Sequence, residues 1–120
     1  MRSLRLFALC APFLSCVGPP APDAALCQDV IHRLCLGPRC AEVDAALAVG
    51  DSCEQTLLSR TGCAAEDFAF ASPSRAQVLE CRLPLLRSGI GADQHPSCDD
   101  VAETVETCGD LIRFLGGPGR

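Results

Sequence analysis

Eight cysteines spread between residues 27 and 108 constrain this chain more than any other feature. They are Cys27, Cys35, Cys40, Cys53, Cys63, Cys81, Cys98 and Cys108. An even set at this density marks a domain held together by disulfides as well as by its core. Composition explains the need. Hydrophobic residues make up 48% of the chain, yet the aromatic side chains, which bury the most area each, are five Phe with no Trp and no Tyr. The core must therefore be built from Leu, Val, Ile, Ala and Cys. Each bridge adds about 2–4 kcal/mol by restricting the unfolded chain, comparable to what such a core lacks. Sequence alone leaves on the order of a hundred ways to pair eight cysteines.

Bridges need an oxidising compartment, and the N-terminus predicts delivery to one. Met1 to Arg5 carries two Arg, and Leu6 to Ser15 is uncharged and mainly apolar. A basic start followed by a short apolar run is the layout of a secretion signal, assigned here to residues 1–15. The apolar run is too short to span a bilayer. Phe13-Leu14-Ser15-Cys16 then resembles a bacterial lipobox, in which a small residue precedes the cysteine that receives a lipid. That resemblance implies lipidation at Cys16 and attachment to the membrane through this anchor. It places the chain among small, cysteine-rich bacterial lipoproteins, and Val17, where an Asp would favour inner-membrane retention, points to the outer membrane. Ordinary cleavage and secretion is the alternative. Gly18-Pro19-Pro20-Ala21-Pro22 reads as a stiff, extended tether, because proline fixes φ and disfavours helix before it. The predicted organisation is a lipid-attachment and linker segment over 16–23, a stapled domain over 24–115 and a flexible tail over 116–120.

Within the domain the punctuation is helical. Asp23 starts a predicted helix over 24–36, with Cys27, Ile31, Leu34 and Cys35 on one face and Gly37-Pro38 as its stop. A second helix is expected over 39–49, with Cys40, Val43 and Leu47 inward. A third runs over 52–61 from a capping box of Asp51 and Glu54, with Cys53, Leu57 and Leu58 inward. Residues 64–71 read as a loop or single turn. Ser72 and Pro73 start a further helix with Val78, Leu79, Leu83 and Leu86 on its apolar side, kinked near Pro84. Gly89-Ile90-Gly91 breaks it. After Ser97, Val101, Val105, Cys108, Ile112 and Leu115 recur at helical spacing, which predicts one continuous last helix. The fold class is all-α, four or five short helices cross-linked by up to four disulfides.

Cys53 and Cys63 are ten positions apart, as are Cys98 and Cys108, which puts each pair on about the same flank of a helix. This is similar to the twin CX9C hairpins, in which two antiparallel helices are bridged at both ends. The likeness implies bridges from Cys53 to Cys108 and from Cys63 to Cys98. It covers two helices only and brings no function with it.

Little else carries chemistry. There is no C-x-x-C for thiol–disulfide exchange and no C-x-x-C-H for haem. His32 with Cys35 and His95 with Cys98 repeat an H-x-x-C spacing, but in an oxidising compartment these thiols are spent in bridges, so no metal is assigned. Neither a nucleophile elbow nor a metallopeptidase motif is present, and Asp99 and Asp100 read as solvated helix-start charges. No catalytic residue and no cofactor is predicted. The net charge is −5. Without residues 1–15 eight Arg face fifteen carboxylates, about −7, a balance that repels nucleic acid. The expected function is a non-enzymatic binding or structural module of the cell envelope, with a possible envelope protein as partner. A carrier of a small apolar ligand and a secreted effector or inhibitor are the alternatives.

Overall fold

The structure, a computed structural model, describes residues 21–36, 40–87 and 95–117. The expected signal, Cys16 and most of the Pro-rich linker lie outside these residues, as do Gly37-Pro38 and Gly89-Ile90-Gly91.

The described chain is all-helical. It forms α1 (Asp23–Leu36), α2 (Ala41–Leu47), α3 (Cys53–Thr61), α4 (Arg75–Arg82), a 3-10 turn (Leu83–Leu86), α5 (Cys98–Thr107) and α6 (Gly109–Gly116). Six α-helices exceed the four or five expected, and the difference arises in the last one. Cys108 adopts φ −118° and ψ 63°, outside the helical region, and divides α5 from α6. Gly109 follows directly, and glycine is a poor helix former, so the apolar periodicity carries through a backbone that does not. Val101, Leu111 and Leu115 remain buried on both sides of the break.

α1 is the spine. It buries Leu26, Cys27, Val30, Ile31 and Leu34 and packs against α3, α4 and the 3-10 turn. α5 packs on α2 and the 3-10 turn, and α6 on α2 and α3. One cluster therefore runs through every element, joining Leu47, Leu57, Val78 and Leu85 to the buried residues of α1, α5 and α6.

The helix ends follow local chemistry. Ser74, not Ser72, caps α4: its hydroxyl accepts from the Gln77 N–H while the Gln77 side chain accepts from the Ser74 N–H, a complete capping box. Pro73 precedes the cap and is buried. Ser97 caps α5 by accepting from the Asp100 N–H. Ser52, not Asp51, is the residue before α3 and makes no side-chain cap bond, and the Glu54 carboxylate lies 3.2 Å from His32 Nδ1. Arg60 donates to the carbonyls of Leu47 and Ala48, covering the C-terminal end of α2.

Pro84 does more than kink. Without an N–H it cannot continue the α ladder, and the chain tightens into the 3-10 turn. The 3-10 turn buries Leu85 completely and leaves Leu83 exposed; Leu79 on α4 is exposed as well and Leu86 half-buried, so of the apolar side expected for this helix only Val78 is fully buried.

Candidate functional site

The disulfides define the frame on which any site sits. Cys27 pairs with Cys63 and Cys35 with Cys53, at Cα separations of 6.0 and 5.7 Å. Cys27 lies near the start of α1 and Cys63 just past the end of α3, whereas Cys35 and Cys53 occupy the opposite ends. The two helices are therefore antiparallel and stapled at both ends. The partner of the Cys53–Cys63 helix is α1, not a later helix. The implied pairs Cys53–Cys108 and Cys63–Cys98 do not form. Cys98 is instead bonded to Cys40 and Cys108 to Cys81, at Cα separations of 5.5 and 6.0 Å. The physical reason is which helices become neighbours: α3 packs against α1 and α6, whereas α5 packs against α2 and the 3-10 turn.

All eight cysteines assigned to bridges are thus in bridges. The H-x-x-C pairs are not brought together as a ligand set. Cys35 and Cys98 are bonded to Cys53 and Cys40, His32 meets Glu54, and His95 Nδ1 lies 3.3 Å from the Pro96 carbonyl. Glu42 lies close to Cys40 and Cys98, but these two sulfurs are bonded to each other and offer no thiolate.

Where α4 and the 3-10 turn face the α5–α6 junction, a cleft of about 470 Å³ opens to solvent. Its apolar lining is Pro73, Leu83, Pro84 and Leu111 together with the Cys81–Cys108 bridge. Glu80, Glu103 and Asp110 contribute carboxylates, and Arg87 is the one cation among the lining residues. Local structure builds this shape. The 3-10 turn turns Leu83 outward, to 59% exposure, and the break at Cys108 sets α6 at an angle to α5. Thr104, fully buried, donates to the Cys81 carbonyl at 3.1 Å and holds α5 against α4 beneath the bridge.

The charges of the cleft are unequal. Arg87 donates both terminal nitrogens to Glu103, at 2.6 and 3.0 Å, and one of them also reaches Asp100 at 3.2 Å. The hydrogen bonds from Arg87 pull the Glu103 carboxyl below its ordinary range, partly opposed by desolvation and by the Asp100 charge. Reciprocally, the bonds to Glu103 hold the Arg87 guanidinium protonated more firmly than usual. Arg87 is therefore already matched. Asp110 pairs with Arg113 one turn along α6. In the sequence the charges of Glu80, Arg87, Glu103 and Asp110 look like ordinary helix surface. Pro84 and Gly109, two interruptions flanking the cleft, were the available signals.

No protein family, curated protein or solved structure matches the chain.

Proposed function

We propose that this chain is an exported, lipid-tethered, non-enzymatic binding module of the cell envelope. The observation that carries this reading is the bracing of the domain by four bridges. Two staple α1 to α3, one joins α2 to α5 and one joins α4 to the α5–α6 junction. Such cross-linking suits a small domain in an oxidising space outside the cytoplasm. The basic and apolar N-terminus, Ser15-Cys16 and the Pro-rich linker support a lipid at Cys16 and a stiff tether to the domain. No helix among the described residues is long and apolar enough to cross a membrane, so in this reading the anchor is the lipid. A carrier of a small apolar ligand fits less well, because the cleft is open and carries carboxylates.

Mass spectrometry of the unreduced protein from its native envelope tests this reading. A chain starting at an acylated Cys16 with four intact bridges is expected. A free N-terminus at Met1 with reduced thiols would overturn it.

A further inference from the structure

The cleft between α4 and the α5–α6 junction combines an apolar surface with unmatched negative charge. Leu83 stands in it as the most exposed large hydrophobic side chain of the described residues, at 59%, with Leu79 one turn earlier on α4 also exposed. Glu80 lies between them in sequence and makes no ion pair among the described residues. The only lining cation, Arg87, is taken up by Glu103 and Asp100. Asp110 is paired with Arg113, which leaves Glu80 as the lining carboxylate that no described cation offsets; an anionic occupant would meet its charge, and a purely apolar one would desolvate it without compensation. A volume of about 470 Å³ takes a few side chains, which suits a short segment better than a broad protein face.

From this charge complementarity we propose that the cleft docks a short segment of a partner protein that presents a Lys or Arg beside an apolar side chain. The apolar group covers Leu83 and Pro84, and the cation lies against Glu80. This deepens, and rests on, the binding-module reading.

The test uses the bridged protein purified in its processed form, at low salt. A fluorescent short peptide alternating Lys and Leu is titrated against it, alongside a counterpart alternating Glu and Leu. The expected result is saturable binding of the Lys–Leu peptide alone. Leu83→Ser and Glu80→Lys each weaken it by roughly fivefold, the effect of about 1 kcal/mol. Glu106→Lys, the same charge change at an exposed α5 position away from the cleft lining, shifts binding less than about twofold. Absence of saturable binding, equal binding of the Glu–Leu peptide, or equal losses in Glu80→Lys and Glu106→Lys would overturn the proposal. None of these outcomes bears on the lipid at Cys16, which the native mass decides separately.

Discussion

Thr104 on α5 donates its hydroxyl to the carbonyl oxygen of Cys81 near the end of α4, 3.1 Å away, from a side chain with no exposed surface. The bond satisfies a helix-end carbonyl in the same place where the Cys81–Cys108 bridge crosses. Thr104→Val keeps the shape and removes the donor, so the carbonyl loses its bond from this buried side chain. A loss of about 1–3 kcal/mol in urea unfolding is expected with all bridges intact. A variant as stable as the parent would show that water reaches the carbonyl.

The four bridges differ in access. Cys27 and Cys63 are 2% and 0% exposed, whereas Cys35, Cys53, Cys81 and Cys108 are all half-buried. Exchange requires a thiolate to reach a sulfur, so mild reductant opens Cys35–Cys53 and Cys81–Cys108 before Cys27–Cys63. Timed alkylation and peptide mapping read the order directly. Early appearance of labelled Cys27 or Cys63 would contradict this account of the core.

Asp23 gives the fold a defined acid sensitivity. Its carboxylate accepts from the Phe70 N–H at 2.9 Å and from Arg75 at 2.6 Å, tying the first turn of α1 to the loop before α4. The backbone bond from Phe70 is the larger cause of its lowered pKa, and the Arg75 bond adds to it. A depressed carboxyl contributes stability that is complete above the unfolded Asp value. That contribution is lost as pH falls through the lower folded value. Asp23→Asn therefore destabilises the protein at neutral pH, and the difference from the parent shrinks as the solution is acidified below the ordinary Asp range. Urea midpoints measured across that range check it; a difference independent of pH would remove Asp23 from the acid response.

How much of this was legible in the sequence depended on the range of the signal. Helical class and the bridge-forming set follow from local periodicity and from cysteine number. Cys40, Val43 and Leu47 do face the core, because a short amphipathic stretch carries its own register. Pairing was not legible, since it depends on which helices become neighbours, and spacing between Cys53 and Cys63 is equally compatible with α1 or with a later helix. Phe68 and Phe70 illustrate the same limit. They alternate as a strand would, yet both rings meet Phe114 of α6, at centroid distances of 5.9 and 5.7 Å. The contact is set by tertiary packing. The cleft was hidden for a related reason: it exists because two local interruptions, at Pro84 and Cys108, face each other across the fold.

Two glycines in the last helical segment give predictions of opposite sign. Gly109 starts α6 with nothing within 4 Å of an added Cβ and a φ that other residues adopt. Gly109→Ala therefore stabilises by about 0.4–1 kcal/mol, because it lowers the freedom of the unfolded chain and adds a better helix former. Gly117, just beyond α6, has φ +81°, and a Cβ there would lie 3.1 Å from both Cβ and Cγ of Arg60. The Arg60 stem cannot retreat easily, since its guanidinium holds the Leu47 and Ala48 carbonyls at the end of α2. Gly117→Ala is expected to cost about 1 kcal/mol or more from the left-handed backbone alone, with further loss where Arg60 is displaced. Thermal unfolding of the two bridged variants against the parent separates them. If both moved the midpoint in the same direction, α6 would have to end elsewhere than at Gly116.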